Sequence, residues 1–289
     1  MIQPSESVGY ANGPVTKAPN WHGLVAWDML FNNLSTGLFL VAALIGLVNP
    51  TVFMSLTPVA YLIALIVLLA DLVCLVLDLG DPMRFHHMLR VFKPSSPMSL
   101  GTWALTVYSL PLTLIVAIDL LPLEWAALGW IRQIAVLVAI PPALASAVYK
   151  GVLLSTNAQP GWRDARWLGG YLASSAILLG CAQMLVLSVF AQRESAVAIL
   201  RPALMALIVV NVIPFILLLV NLRTTLARVY NPRELGRAAA VSFGVGMLLP
   251  LGLLLIGNTA LTILSAVLLV LVGSLFVRYA IVWLPHSIH

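Results

Sequence analysis

Two aspartates, Asp71 and Asp78, lie seven residues apart, one well inside an apolar run of the sequence and the other at its end. Seven residues make about two turns of an α-helix, so the two carboxyl groups share nearly one face, about 10 Å apart along the axis. An ionisable group at such depth in a membrane segment is costly, and it is usually functional or internally paired. A buried carboxyl group can take up and release a proton. A structural ion pair or hydrogen bond is the alternative for Asp71.

A second set of polar side chains lies on the first apolar run. Asp28, Asn32 and Ser35 are spaced by four and three residues, which places them in one stripe of a helix. Such a stripe can hold neighbouring helices together or line a polar pocket in a helical bundle. Tyr149 and Lys150 add a phenol and an ammonium group toward the end of the fourth apolar run. Each of these groups, taken alone, is more often a packing residue than a catalytic one.

The histidines and cysteines argue against a bound metal. The five histidines lie in loops or at the ends of apolar runs, and the two cysteines, Cys74 and Cys181, lie far apart inside such runs. A transmembrane haem needs axial ligands within the spans, and zinc or iron–sulfur sites need clustered ligands. We therefore expect no haem and no metal site in this chain. The sequence also contains no phosphate-binding loop, dinucleotide fingerprint or nucleophile elbow.

The elements that must position these residues are membrane helices. The 289 residues are 61 % hydrophobic and 9 % charged, and their mean hydropathy is +1.04. Apolar runs long enough to cross a bilayer recur along the chain, which predicts an all-α integral membrane protein with eight transmembrane helices. The predicted spans are 26–48, 57–77, 99–121, 130–155, 168–190, 203–222, 238–257 and 259–283. Gly257 and Asn258 mark the turn between the last two.

We expect three parts in the chain. A non-membrane segment, 1–25, precedes a four-helix bundle, 26–155, that carries the candidate site, and a second four-helix bundle, 156–289, follows. Eight spans place both termini on one side of the membrane. Twelve of the fifteen lysines and arginines fall on that side, and only Arg132, Arg193 and Arg201 fall on the other. The positive-inside rule then places the termini in the cytoplasm of a bacterial or archaeal cell, with the protein in its cytoplasmic membrane.

One loop carries a recognisable pair of motifs. It begins with Asp78-Leu79-Gly80-Asp81-Pro82-Met83-Arg84-Phe85 and ends with Ser96-Pro97-Met98-Ser99-Leu100-Gly101-Thr102-Trp103. These motifs resemble those of the NrfD-like family of polysulfide reductase membrane subunits and, more distantly, the dimethyl sulfoxide reductase anchor subunits. The sequence departs from the family pattern at Asp81, where a basic residue is common, and at Leu100, where Trp is common. Tyr149-x-Gly151 and Pro160-x-Trp162 are similar to the family's signature near the fourth span.

The resemblance implies a non-autonomous subunit of a respiratory oxidoreductase that anchors an iron–sulfur subunit and reacts with a membrane quinone, menaquinone or ubiquinone. The iron–sulfur subunit would dock on the basic loops 79–98, 156–167 and 223–237 and connect to a molybdenum or tungsten catalytic subunit. The family carries no haem, which agrees with the placement of the histidines. In the best-known relatives the catalytic partner faces the periplasm, whereas the charge distribution here predicts a cytoplasmic partner.

The resemblance also implies roles for individual residues. Asp78 is the candidate proton acceptor, and Arg84 is expected to orient it or to stabilise negative charge. Asp28 is a second acid within reach, and Asp71 would extend a proton path inward, on the evidence of spacing alone. The candidate quinone-binding residues are Tyr149, Asn32, Asn33, Lys150 and Trp103, the last of which would also shape the loop.

Two other functions remain open from the sequence. Intramembrane carboxyl groups and proline-interrupted helices also suit a proton or ion transporter. A structural anchor that binds no quinone would carry the same docking loops. The polar groups of this chain cluster toward one membrane face and not at the midplane, which favours the quinone-reactive subunit over the transporter.

The predicted topology is open to direct measurement with reporter fusions. We expect alkaline phosphatase fused after residue 289 to be inactive in cells, because the enzyme folds only outside the cytoplasm, and a fluorescent protein at the same site to be bright. A fusion in the loop between the last two spans should give the opposite pair of results. An active phosphatase at residue 289 would contradict the cytoplasmic placement.

Overall fold

A computed structural model of the protein describes residues 19, 21, 23–121 and 126–288. These residues contain eight helices long and apolar enough to cross a membrane, which confirms the predicted all-α fold. The part of the N-terminal segment before residue 19 lies outside the described residues. The eight helices are α1 Gly23–Val48, α2 Thr57–Leu77, α3 Pro97–Leu120, α4 Ala126–Ser155, α5 Leu168–Phe190, α6 Glu194–Val229, α7 Pro232–Ile256 and α8 Ala260–Trp283.

The helices α1 and α5 form the centre of the protein. In each of them 61 % of the apolar segment is buried inside the protein, against 28 to 39 % in the other six helices. Helix α1 packs against α2 and α4 and also against α5 and α8, so it contacts helices of both predicted bundles. The division of the chain near residue 155 into two bundles, and the side on which the termini lie, stay predictions.

Glycines let α1 and α5 approach each other at backbone distance. A Cβ atom added to Gly37 would lie 1.9 Å from the carbonyl oxygen of Ala176, and one added to Gly180 would lie 2.0 Å from the carbonyl oxygen of Gly37. Lipid supplies no hydrophobic drive for helix association, so close van der Waals packing through small residues stabilises the pair instead. The polar stripe of α1 is thereby held in the middle of the protein.

The loop between α2 and α3 is ordered by local hydrogen bonds. It contains a 3-10 helix, Pro82–Leu89, and then leads to Ser96, whose side chain accepts a hydrogen bond from the backbone N–H of Ser99. Ser96 is therefore the N-cap of α3, and Pro97 occupies the first turn, where it is tolerated. This arrangement fixes where α3 begins and so where the second motif of the loop lies.

Two helices, α6 and α7, depart most from the predicted spans. Helix α6 extends over 36 residues, Glu194–Val229, and not over 203–222, because hydropathy detects only its apolar middle. Helix α7 begins at Pro232 and not at 238, after a capping box formed by Asn231 and Glu234. The turn at Gly257 and Asn258 is confirmed, since α7 ends at Ile256 and α8 begins at Ala260.

The glycine contact between α1 and α5 can be tested by overpacking. Leucine at position 37 cannot fit against the Ala176 carbonyl. Gly37→Leu should therefore lower the free energy of unfolding by about 3 kcal/mol or more, which is the upper end of the range of costs for overpacked cores. Thermal unfolding in detergent measures the loss. Gly252→Leu on α7 is the matched control, because no atom lies within 4 Å of a Cβ built there. Equal stability of the two variants would contradict this packing.

Candidate functional site

A buried lysine joins two aspartates at the centre of the candidate site. The Nζ atom of Lys150 on α4 lies 2.8 Å from Oδ1 of Asp28 on α1 and 2.7 Å from Oδ1 of Asp71 on α2. The same ammonium group donates a hydrogen bond of 2.9 Å to the backbone oxygen of Asp28. Two of its three hydrogens therefore have acceptors, since Oδ1 of Asp28 is an ion-pair partner that accepts no hydrogen bond from the described residues. The side chains of Lys150, Asp28 and Asp71 are 6, 8 and 0 % exposed, so this triad is removed from solvent.

The charges of this triad do not balance when every group is ionised. Two carboxylates and one ammonium group carry a net charge of −1, and the cluster is neutral only when one carboxyl group holds a proton. Uncompensated charge in a low-dielectric interior costs several kcal/mol. The composition of the triad therefore suits a site that binds one exchangeable proton.

The side chains of the two asparagines of α1 form hydrogen bonds with different residues. The amide nitrogen of Asn32 lies 3.2 Å from Oδ2 of Asp71 and 3.0 Å from Oγ of Ser146 on α4, so Asn32 belongs to the triad's surroundings. The amide nitrogen of Asn33 instead donates to the backbone oxygen of Ala147, at 3.1 Å. The sequence predicts quinone contacts for both asparagines, and the structure buries both within helix contacts.

A cavity of about 80 Å³ brings together four of the residues predicted from the sequence, namely Asp28, Asp78, Tyr149 and Lys150. Asp78 is the C-cap residue of α2 and directly follows Leu77. Apolar side chains complete the walls, among them Val25, Met29, Leu75, Met88, Met98 and Leu153. Asp71 has no exposed surface and reaches the cavity through its contact with the Lys150 ammonium group. A small chamber with two acids, a phenol and an ammonium group can hold and exchange protons beside an apolar molecule.

A glycine of the second loop motif positions Tyr149. A Cβ atom added to Gly101 on α3 would lie 1.9 Å from Cδ2 of the Tyr149 ring. The absence of a side chain at position 101 thus makes room for the ring, which also lies 5.6 Å from the Lys150 ammonium nitrogen in a cation–π contact. The motif on α3 and the tyrosine on α4 are two halves of one packing arrangement.

Arg84 and Trp103, which the sequence also predicts as site residues, do not line the cavity. Arg84 is in the 3-10 helix, where its guanidinium group pairs with Asp81 at 2.9 Å and its side chain is 72 % exposed. Its expected action on Asp78 stays a prediction. Trp103 packs edge-on against Phe92, with ring centroids 6.0 Å apart, which fits a role in shaping the loop.

Arg278 has a structural role that its position in the sequence does not predict. The charge distribution along the chain places it at the membrane surface, yet it is 1 % exposed and donates hydrogen bonds to Asn33 Oδ1, Ser175 Oγ and the backbone oxygen of Ser274. Lys150, assigned to the same surface, is buried as well. The spacing of Ser274 and Arg278, four residues apart in an apolar run, is the available signal of a buried polar face.

Within residues 23–121 and 126–288 no three His, Cys, Asp or Glu side chains come together as metal ligands. The expectation of a chain without metal or haem stays a prediction.

Comparison with known proteins points to one family. The family model described as "Polysulphide reductase, NrfD" matches residues 14–285, nearly the whole chain. A curated relative, a selenate reductase subunit from Mesobacillus selenatarsenatis, is 31 % identical over 111 residues. That match covers 38 % of this chain and 25 % of the relative, so the chain spans about a quarter of the relative's length.

The triad of Lys150, Asp28 and Asp71 should contribute to the free energy of unfolding. Lys150→Met removes the cation between two buried carboxyl groups, and breaking a buried ion pair in this way costs about 3 to 5 kcal/mol. Unfolding in detergent should show the loss, and Asp71→Asn in the same chain should restore part of it by removing one unpaired charge. Lys93→Met in the exposed loop is the control. If Lys150→Met is as stable as Lys93→Met, the triad does not hold α1, α2 and α4 together.

Proposed function

The chain belongs to the polysulphide reductase NrfD family and is a membrane subunit of a reductase complex, and on this premise we propose that it exchanges electrons between a partner iron–sulfur subunit and the membrane quinone pool. The observation that carries the proposal is the cavity where Asp28, Asp78, Tyr149 and Lys150 meet an apolar lining. A quinone, menaquinone or ubiquinone, would supply two-electron chemistry coupled to the gain or loss of two protons. A proton-exchanging group and hydrogen-bond donors are what such a molecule requires from its site.

The donor set of the cavity fits a planar ring with two oxygens, but the volume of the cavity is small. Binding pockets for small molecules measure about 300 to 1,000 Å³, whereas this chamber measures about 80 Å³. Met88, in the 3-10 helix, and Met98, in the first turn of α3, line it. Methionine side chains are unbranched and adapt readily to a bound molecule. We therefore infer that binding displaces these two side chains and widens the cavity toward the loop.

The acids of the cavity have separate tasks in this proposal. Asp78, where α2 ends, is placed to exchange a proton with water on the loop side. Asp28 lies deeper and is held by Lys150, so it can pass a proton to or from the triad. The Lys150 ammonium and the Tyr149 hydroxyl would hold ring oxygens and stabilise negative charge on them. Asp71 serves as the inner carboxyl group of the triad.

The loop surfaces support a soluble partner. The loop 79–98 exposes apolar side chains beside its basic residues: Met83 is 81 % exposed and Val91 is 68 % exposed. Exposed apolar groups rimmed by charges are typical of a protein interaction site. We infer that this loop, with the basic segments 156–167 and 223–237, docks the iron–sulfur subunit and, through it, a molybdenum or tungsten catalytic subunit. The charge distribution favours docking from the cytoplasm.

The quinone site can be tested in the complex that co-purifies with this chain. Asp28→Asn and Asp78→Asn should each reduce quinone-linked turnover by about 100-fold, the size of effect that a lost acid–base group produces. Turnover with a soluble dye that reacts at the partner subunits should be unchanged. Glu194→Gln is the matched control, an exposed acid in the first turn of α6, away from the cavity.

A quinone-free anchor would behave differently. In that case the aspartate variants and Glu194→Gln would show the same quinone-linked turnover. Calorimetric titration of the detergent-purified chain with a short-chain quinone gives a second measurement, in which we expect Leu153→Trp, at the cavity wall, to abolish binding. Equal binding by that variant and the unmodified chain would contradict the proposed site.

A further inference from the structure

We propose that the cleft between helices α6, α7 and α8 binds an anionic phospholipid, with the lipid phosphate at Arg223 and the acyl chains along the cleft. This site is separate from the proposed quinone site and does not depend on it. The cleft has a volume of about 720 Å³, within the range of about 300 to 1,000 Å³ that is usual for small-molecule sites. Most of its walls are apolar, formed by side chains such as Leu219, Phe276 and Ala280.

The cleft lies where α6 and α7 are held apart. Helix α6 packs against the segment Leu249–Ile256 of α7, where the guanidinium group of Arg201 donates hydrogen bonds to the backbone oxygen of Leu254. On its other side α7 is held against α8, since a Cβ atom added to Gly246 would lie 2.9 Å from Cα of Gly273. Helix α7 is therefore fixed to α8 and joined to α6 near one end. The cleft occupies the space between α6 and α7 beyond that joint.

A π-helical segment of α7, Ala240–Leu248, borders the cleft. Such segments are rare, and they are frequent at functional sites. The wall that α7 contributes here includes the small side chains of Ala238, Ala239 and Ser242. The hydroxyl of Ser242 donates a hydrogen bond to the backbone oxygen of Ala238, at 2.7 Å, which satisfies its donor. Small side chains on this wall leave room for an acyl chain.

Arg223 lies at the depth of a lipid headgroup. It follows Arg201 by 22 residues on α6, or about 33 Å along the helix axis. The hydrocarbon core of a bilayer is about 30 Å thick, so the two arginines mark its two boundaries. Trp283, which lines the cleft near the end of α8 and is 43 % exposed, supports this placement. Tryptophan is enriched at the membrane–water interface.

The charge at this end of the cleft is complementary to an anionic headgroup. The side chain of Arg223 is exposed and lines the cleft, and it forms no ion pair within the part of the chain that the structure describes. The segment 223–237 contains four arginines and one glutamate. Basic pockets between transmembrane helices bind the phosphates of anionic lipids. Arg223 is therefore placed to pair with such a phosphate.

The polar groups of the cleft fit a phospholipid better than a quinone. A quinone carries oxygens on opposite sides of its ring and requires a proton-exchanging group, whereas a phospholipid has one anionic end and long apolar chains. The carboxylate of Glu234, which lines the cleft, accepts a hydrogen bond of 3.0 Å from the backbone N–H of Asn231. The hydroxyl of Tyr230 lies 3.1 Å from Oγ of Ser287. These groups are engaged within the protein, and Arg223 provides the charge for a ligand.

The lipid site and the proposed partner surface use different arginines. Arg228, Arg233 and Arg237 are exposed and lie outside the lining of the cleft. They remain available to a soluble partner when a phospholipid occupies the cleft. The headgroup would then lie beside the segment 223–237, at the edge of the surface proposed for docking.

Native mass spectrometry of the full chain in mild detergent can test the site. The added lipids are phosphatidylglycerol and phosphatidylcholine with identical acyl chains. We expect the unmodified chain to bind phosphatidylglycerol more tightly than phosphatidylcholine. Arg223→Gln should weaken phosphatidylglycerol binding by about fivefold, the contribution of one arginine near an anionic membrane surface. Arg228→Gln is the matched control, because this arginine is also exposed on α6 but does not line the cleft.

A second variant tests the apolar part of the cleft. Ala280 is exposed and lines the cleft on α8, so the indole ring of Ala280→Trp should fill the space and abolish binding of both lipids. Thermal unfolding in detergent shows whether this variant folds. If it does not, the comparison of Arg223→Gln with Arg228→Gln decides.

Three results would overturn the proposal. The first is equal affinity of the unmodified chain for the two lipids. The second is equal weakening by Arg223→Gln and Arg228→Gln, which would assign the binding to the general charge of the surface. The third is binding of a short-chain quinone that Ala280→Trp abolishes and Arg223→Gln leaves unchanged, which would assign the cleft to a quinone. None of these results bears on the separate cavity at Asp28 and Lys150.

Discussion

The ammonium group of Lys150 is the interaction on which the rest of the site depends. It binds carboxylates from α1 and α2 and is itself carried by α4, so three helices meet at one nitrogen atom. In an apolar interior none of these charges is tolerated alone, and each exists there because of the other two. The same condition leaves one carboxyl group in excess. The stability of this cluster and its proposed role in proton binding therefore have a common origin.

The protein gathers charges in its interior and surrounds them with close backbone contacts. The glycine pair of α1 and α5 brings the polar stripe of α1 to the centre, where α1 packs against α2 and α4 and also against α8. Asn32 and Asn33, although adjacent in sequence, consequently serve two different networks. Helix α1 therefore contacts two polar networks, one with the carboxyl group of Asp71 and one with the guanidinium group of Arg278.

Hydropathy predicted the number of helices and most of their limits, because a bilayer imposes a length that the sequence must show. Hydropathy underestimated the length of α6, because the two ends of this helix are polar. Spacing along α1 and α2 identified Asp28, Asn32 and Asp71 as candidates, since helical geometry alone places polar residues on shared faces. It could not show that Lys150 turns inward or that Arg278 reaches Asn33, because those contacts join residues 79 to 245 positions apart. Such pairings depend on how helices rotate against each other, which local sequence does not encode.

The contact between Gly101 and the ring of Tyr149 has an evolutionary consequence. The two positions occupy one volume, so a larger residue at 101 requires a smaller one at 149. Substitutions at these positions should be correlated among related chains, and the pair should vary together or not at all. The motif on α3 and the tyrosine on α4 would then evolve together, because a change at position 101 or 149 is tolerated only with a compensating change at the other.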